Sequence, residues 1–465
     1  MGLSTALEIG RTGLTIYRVA QEVTGENIAN VNTPGYSRQR VILDTSPPVT
    51  YNGFPLGTGV RITAVDRYYD SLLQQQLINA QTTQGFDTAK STVLQQIEPS
   101  FNEVTNDGIG TAIVNYFNAW QDLSLNPGGV AERQVVMTRA QILADNFHAV
   151  STSLNNAIAT QNSALAPLVD TINNTLTNIA QLNDQIRNTQ LVAGNANEIK
   201  DRRDQLVRDL SLQVGITFKE NSDGTTDISL ADNGMALVTG SKAGAFALDR
   251  ANPASYSLQL TEPGGVLSPV STNKGQLGAI FALRDSIIPG YLSQVDTLAK
   301  AIIDSVNTQH AAGFSPAGGT GQNFFTPQAA ITGAAAAFSI DAGLSISSIA
   351  ASGNAALPGD NSNAYLMAGL ASRPLVTIAA TSVTFSSYYG TLVTRVGSDV
   401  QAIKTTVSQD EAFTKQLSTL RESNSGVSLD EEMTNLIKYQ RSYQASAKLI
   451  TTATEMIDTV LAMIR

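Results

Sequence analysis

The sequence predicts a mainly α-helical fold: paired, coiled-coil-like terminal helices, an elongated helical-bundle body and a small inserted β unit. Three observations lead there. A stripe of alternating four- and three-residue steps runs through the C-terminus as Leu429, Met433, Leu436, Gln440, Tyr443, Ala447, Ile450, Thr454, Ile457, Leu461 and Ile464. A weaker copy opens the chain as Leu3, Leu7, Gly10, Leu14, Tyr17, Gln21, Thr24, Ile28 and Val31. Between them, long helical periodicity is interrupted by one segment of short alternating runs and turn dipeptides. A 4-3 stripe held over several heptads belongs to helices that pack along one seam. The C-terminal helix would be roughly 55 Å long at 1.5 Å per residue. The plain alternative is that each helix packs on the chain's own core. Two such ends, far apart in sequence, favour assembly through the termini.

The first helix is expected to start at Thr5, whose hydroxyl forms a Thr-x-x-Glu capping box with Glu8. It should end at residues 30–32, because Pro34 disfavours helix in the residue before it. Residues 36–66 alternate and contain Pro47, Pro48, Gly53, Pro55, Gly57 and Gly59, which reads as an extended arm with short β segments. Helix resumes near Tyr69 and stops at Pro99. A short helix over 109–123 places Trp120 beside Ile113 and Phe117, as a core anchor.

A long helix follows over 130–189, with the stripe Val136, Ala140, Leu143, Phe147, Val150, Leu154, Ala157. The stripe then shifts to Leu165, Leu168, Ile172, Leu176, Ile179, Ile186, a stutter in register. Pro167 beside the shift should kink or break the helix. Another amphipathic helix covers 198–212. Residues 214–275 hold short β-like runs separated by Asp223-Gly224, Asn233-Gly234 and Pro263-Gly264-Gly265, which is turn chemistry. Helix returns over 277–310, and residues 313–362 read mainly as loops rich in Gly, Ala and Ser. A helix over 379–423 lines up Leu392, Val396, Ile403, Phe413, Leu417 and Leu420. Ser428 and Glu431 form a second capping box, and Asp430, Glu431 and Glu432 suit the positive end of a helix dipole. The expected units are 1–33 with 428–465 as a discontinuous terminal helical domain, 34–213 with 276–427 as the body, and 214–275 as the β unit. The termini should lie side by side.

Composition narrows the function. At 465 residues the chain can form two to four domains with ample core. A net charge of -10 without a basic cluster makes a poor nucleic-acid binder and a poor partner for anionic lipid. The absence of cysteine removes disulfides, thiolate metal sites and Cys nucleophiles. No apolar run is long enough to span a membrane, and the N-terminus lacks the pattern of a cleavable secretory signal. Cytoplasmic residence and export without cleavage both stay open.

Catalytic signatures are weak, so no enzyme, cofactor or metal is expected. Of the two histidines, His148 lies mid-helix beside the apolar stripe, and His310 sits at a helix C-terminus where partial positive charge complements the dipole. No His-Glu-x-x-His, Walker A loop or nucleophile elbow occurs. Ser271 and Lys274 match Ser-x-x-Lys, a pattern that arises readily by chance. Asp201-Arg202-Arg203-Asp204 reads as a solvated face with intrahelical pairs.

Residues 25–36 hold Asn27, Ile28, Ala29, Asn30, Asn32, Thr33, Pro34, Gly35 and Tyr36, and this run resembles the N-terminal signature of the bacterial flagellar rod, hook and hook-associated axial proteins. Residues 425–432, Asn435-Leu436 and 439–445 resemble the other end of that family. Segments 37–40, 201–206, 275–278, 307–314 and 359–364 are similar to its hook-associated members at the hook–filament junction. The resemblance implies a structural adaptor joining hook to filament, whose terminal helices form an inner tube. The expected assembly interface is Leu3, Leu7, Leu14, Tyr17, Ile28, Val31, Leu429, Met433, Leu436, Tyr443, Ala447, Ile450, Ile457, Leu461 and Ile464. Implied partners are further copies of the chain, the hook protein, the second junction protein and a cytoplasmic export chaperone at the C-terminal region. Implied location is extracellular, after type III export without a cleaved signal. Larger family members carry an outer insertion after the segment equivalent to Phe324-Phe325; here residues 322–360 are expected to be its vestige. An extracellular helical adhesin carrying flagellar-type termini stays open as a second reading.

Overall fold

The computed structural model describes residues 2–51, 54–103, 107–378 and 380–464. Helix α1 (Gly2–Ala29) leads into a ribbon of β1 (Gln39–Thr45), β2 (Val49–Tyr51), β3 (Phe54–Leu56) and β4 (Val60–Arg67). Here β1 pairs with β4 and β2 with β3, all antiparallel. The body follows as α2 (Ser71–Ile97), α3 (Ile109–Leu125), α4 (Val130–Ala193) and α5 (Asn197–Gln213). Asp70 caps α2, its carboxylate accepting from the backbone N–H of Leu72 and Leu73 at 3.0 and 3.1 Å.

Two antiparallel sheets then interrupt the helices. One orders β5 (Ile216–Glu220), β6 (Thr226–Leu230), β7 (Ala236–Thr239) and β8 (Lys242–Ala243) side by side. The other places β10 (Ser257–Thr261) between β9 (Ala245–Asp249) and β11 (Leu267–Val270). Helix returns as α6 (Gly275–Ala282), which runs through one π turn (Leu283–Ile287) into α7 (Ile288–Ala311). After a long irregular segment come α8 (Ser362–Gly369), a hairpin of β12 (Val376–Ile378) and β13 (Thr381–Val383), α9 (Phe385–Ser425) and α10 (Leu429–Ile464).

Helix α4 is the spine, roughly 96 Å long at 1.5 Å per residue. Its register shift separates two cores. Leu143, Phe147 and Leu154 pack with Trp120, Tyr116, Phe324, Phe325, Phe338 and Phe385. Leu165, Ile172, Leu176 and Ile179 pack instead with Ile216, Ile228, Leu258 and Leu260 of the sheets. The stutter is therefore the point where one face changes partners. Of the kink or break expected at Pro167, the break does not occur, and α4 runs through it. Proline removes one backbone bond there, but Leu165, Leu168 and Val169 are buried around it. Asn162, one turn earlier, donates to Pro253 O and accepts from Arg284 Nη1.

Residues 313–362 form loops, and they are packed into the body. Asn307 Oδ1 accepts from Phe324 N and Phe325 N, and Asp296 accepts from Gly333 N and Ala335 N. Phe338 is fully buried against Phe147 and Phe325. His310 is also buried, rather than sitting as a charged dipole partner. Its Nδ1 meets Gln322 O at 2.8 Å and its Nε2 accepts from Ala350 N at 3.0 Å. Burial, despite the bond to Gln322, holds its pKa below the ordinary value. The ring works as a neutral cross-brace.

Three further sequence expectations fail locally. Helix α1 begins at Gly2, so Thr5 lies inside its first turns instead of capping it, and the Glu8 carboxylate pairs with Arg11. The β12–β13 hairpin lies just before α9, where helix was expected from residue 379. Asp201, Arg203 and Asp204 are buried, not a solvated face.

Candidate assembly interface and its anchor

The two ends of the chain meet as an antiparallel pair. Small residues set the closeness of α1 and α10. A Cβ on Gly10 would stand 2.5 Å from Ile450 Cγ1 and 3.4 Å from Ser446 O, and one on Gly13 would stand 2.7 Å from Ser446 Oγ. Tyr17 stacks on Tyr439 with ring centroids 6.5 Å apart. Ile16, Ala20, Val23 and Thr24 are buried on α1, and Ala453 on α10.

The expected interface residues divide. Leu7, Leu14, Tyr17, Ile28 and Val31 are half-buried, as are Leu436, Ala447, Ile450 and Ile457. Leu429, Met433, Tyr443 and Leu461 are exposed. The side chains of Leu3 and Ile464 lie outside the described residues. The reading by large apolar residues missed the closest part of the seam. Gly10 and Thr24 stand in the N-terminal stripe but not among the expected interface residues, and Gly13 and Ala20 lie off the stripe. It also missed Ile437, Met456, Val460 and Met463, exposed apolar residues of α10 off the 4-3 stripe.

The signature residues fasten this pair to the body. Asn27 is buried at the end of α1. Its Nδ2 donates to Gln39 O at 2.9 Å and to Glu432 Oε2 at 3.0 Å. Its Oδ1 accepts from Gln39 N and from the Tyr36 hydroxyl, both at 2.9 Å. One amide thus ties α1, β1, the turn and α10. Asn30 Nδ2 donates to Glu26 O, and Thr33 Oγ1 donates to Asn30 Oδ1, closing the turn. Gly35 has φ +83°, which favours glycine, and its carbonyl accepts from Arg421 Nη2 of α9 at 2.8 Å. Pro34 is exposed and Asn32 also faces out, while Ala29 ends α1.

Two ion networks flank Asn27. Arg38 spans Glu431 at 2.6 Å and Glu432 at 2.7 Å at the start of α10. Glu431 thus reaches from the first turn of α10 towards Arg38. Ser428 still directly precedes α10, and its carbonyl accepts from Glu432 N at 2.9 Å. On the body side, Arg67 bridges Asp201 at 2.6 Å and Asp204 at 2.7 Å, and Arg203 adds a bond to Asp204 at 2.9 Å. Ser37 donates both its N–H and its hydroxyl to Asp201, at 2.8 Å each. Burial pushes both carboxyls up. Arg203 and Arg67 outweigh it at Asp204, which falls below the ordinary range, whereas Asp201 stays above it.

A carboxyl pair closes the joint between α1 and α5. The hydrogen bond to Glu198, together with burial and repulsion, raises Glu26 to about 7 from an ordinary 4.5. A raised carboxyl stabilises fully below the unfolded value and loses that contribution as pH climbs through the folded value. The joint should therefore weaken between pH about 4.5 and about 7. Glu26→Gln should flatten that part of the stability–pH profile and leave the variant firmer than the parent above pH 7. Urea titrations at a series of pH values read it, and parallel profiles for both proteins would refute it.

Terminal helices that pack on each other, keep apolar residues exposed and are fastened to a helical body are the architecture of a structural protein. The comparisons agree. The model of the flagellar hook-associated protein FlgK helical domain matches residues 94–325. That of the flagellar basal body rod FlgEFG protein C-terminal region matches 421–463, and that of the flagella basal body rod protein matches 7–36. Flagellar hook-associated protein 1 of Bacillus subtilis is 29% identical, across 99% of this chain and 97% of its own length. Its Escherichia coli counterpart is 27% identical, across 99% of this chain and all of its own. That alignment runs over 548 positions, so the relative carries residues without a counterpart here. The solved structure of the flagellar hook junction protein FlgK from Burkholderia pseudomallei has the same fold. It gives a TM-score of 0.67 at 18% identity, covering 76% of this chain and 100% of that one. The chain belongs to the flagellar hook-associated protein 1 family, a family of flagellar structural proteins and not enzymes.

Proposed function

We infer that the protein is the structural adaptor at the junction of flagellar hook and filament, outside the cell. The carrying observation is α10 itself, where Leu429, Met433, Ile437, Met456, Val460 and Leu461 remain exposed on a helix that also packs on α1. Contacts between copies would cover these residues, contributing roughly 1.5–3 kcal/mol for each large side chain fully buried. Repetition around a ring then holds a tube under torque without covalent links. Residues 1–33 with 428–465 act as the inner-tube unit, with Leu3, Leu7, Leu14, Tyr17, Ile28, Val31, Leu429, Met433, Leu436, Tyr443, Ala447, Ile450, Ile457, Leu461 and Ile464 supplying its intrachain and intercopy contacts. The body forms the next shell and the sheets project outward. Hook protein lies on one side and the second junction protein on the other. A cytoplasmic chaperone covers the C-terminal region before export.

The test removes residues 430–465. Hooks should remain, filaments should detach, and filament protein should accumulate in the medium, while the isolated body melts nearly as before. Filaments still attached to hooks in the deletion strain would overturn the reading. Motile cells that have lost only adhesion would favour an adhesin instead.

A further inference from the structure

We propose that the body bends at a polar waist between its two cores, a hinge crossed by α2, α4, the α6–α7 junction and α9. The proposal goes beyond the junction reading and stands without it.

The long helices pass from the aromatic core around Trp120 to the sheet core with little apolar packing between. On α4, Ala157 belongs to the aromatic core and Leu165 to the sheet core. Between them only Gln161 and Asn162 are buried, and both are polar. On α2, Ile78 belongs to the sheet core and Val93 to the aromatic core, and none of residues 83–90 is buried. On α9, Ile403 belongs to the aromatic core, whereas Leu417 packs with Leu73, Leu77 and Ala80 beside Ile78 on α2. None of residues 404–416 is buried. Asp87 of α2 and Asp410 of α9 face each other within these stretches, so charge there repels instead of holding.

Two of the crossings also depart from regular helix bonding. Pro167 has no N–H to offer Ser163 O, next to Asn162. Where α6 runs into α7, Ile288 N donates to Leu283 O, five residues back instead of the usual four. Pro289 follows, again without an N–H. Prolines and π turns are where helices kink. Arg284 sets the two defects side by side, its Nη1 donating to Asn162 Oδ1 at 3.0 Å and to Tyr256 O at 2.7 Å. Such polar bonds exchange for water at small net cost, whereas parting an apolar core exposes its whole surface. Bending therefore concentrates at the waist, and each half moves as a unit. The terminal pair stays with the sheet half. Its anchors Asp201 and Asp204 lie on α5, whose Val207 and Leu210 belong to the sheet core. The far half, with α3, α8 and the packed loops, tilts against that base.

The chain has no cysteine, so spin labels can be placed in chosen pairs. All the sites used are exposed. Gln134→Cys with Val266→Cys spans the waist. Gln134→Cys with Thr391→Cys lies within the aromatic half, and Thr177→Cys with Val266→Cys within the sheet half. Each labelled full chain is diluted into unlabelled chain, so that pulsed dipolar spectroscopy reads distances within one copy. Gln134 stands roughly 42 Å along α4 from Asn162, so a tilt of about 20° moves it by roughly 15 Å. The spanning pair should give a distance distribution wider than either internal pair, and equal widths overturn the hinge. Pro167→Ala supplies the missing N–H at an exposed position and should narrow the spanning distribution. Arg284→Ala removes the clasp and should widen it. A spanning width that neither substitution alters puts the motion elsewhere and overturns the waist. Where Arg284→Ala does not fold, Pro167→Ala decides alone.

Discussion

Arg67→Ala should lower the unfolding free energy by about 3–5 kcal/mol, the usual cost of removing one partner from a buried ion cluster. Arg67 is nearly buried and meets Asp201 and Asp204 with separate nitrogens, at 2.6 and 2.7 Å. Its guanidinium also lies 4.4 Å from the centre of the Tyr69 ring. Without it, Asp204 keeps Arg203, but Asp201 keeps only the Ser37 hydroxyl and N–H. A buried carboxylate with neutral partners takes up a proton or pulls the joint open. Arg67→Lys should restore little, because one ammonium cannot reproduce the two-pronged fork. The exposed Arg61–Asp44 pair, at 3.1 Å, is the internal control. Its loss should change stability little, because solvent screens an exposed pair. Urea denaturation of the variants decides the matter. A drop for Arg67→Ala no larger than that for Arg61→Ala would show that the cluster is not a structural bolt.

Asn27→Ala should separate the terminal pair from the body. The Asn27 amide uses both donor hydrogens and two acceptor sites, and every partner is held by this one side chain's position. Removing it leaves the Gln39 backbone, the Tyr36 hydroxyl and Glu432 short of a partner each. A buried polar group left unsatisfied costs about 1–3 kcal/mol. The loss falls on the joint and not on the cores around α4. Amide exchange should therefore quicken along α1 and α10 while protection in α4 persists, and filament attachment should fall. Asn27→Asp should be worse, since it sets a second carboxylate against Glu432. Unchanged exchange in the terminal helices would mean that Asn27 is not what holds them.

The α4 stripe, its register change and the turns between the β strands were all legible, because they depend on local spacing and backbone preference. Trp120 was legible as a core anchor for the same reason. The acidic-basic run at 201–204 was not. A helix that pairs its charges in solvent and one that buries them against Arg67 and Ser37 have the same local pattern. His310 misled similarly, since its position at the helix end was right and its burial between Gln322 and Ala350 was invisible. At Pro167 local chemistry allowed a break, and α4 runs on unbroken with Leu165, Leu168 and Val169 buried around it. The seam between α1 and α10 was seen as apolar, but its closest contacts use Gly10 and Gly13.

By itself, the sequence determined the helical class, the order of elements and the signature turn after α1. These follow from periodicity and from Gly and Pro, whose effects act over a few residues. Tertiary structure alone decided which face of each terminal helix is closed and which stays open, and which charges become bolts. Both depend on groups separated by hundreds of positions, such as Asn27 and Glu432, whose meeting no local pattern encodes.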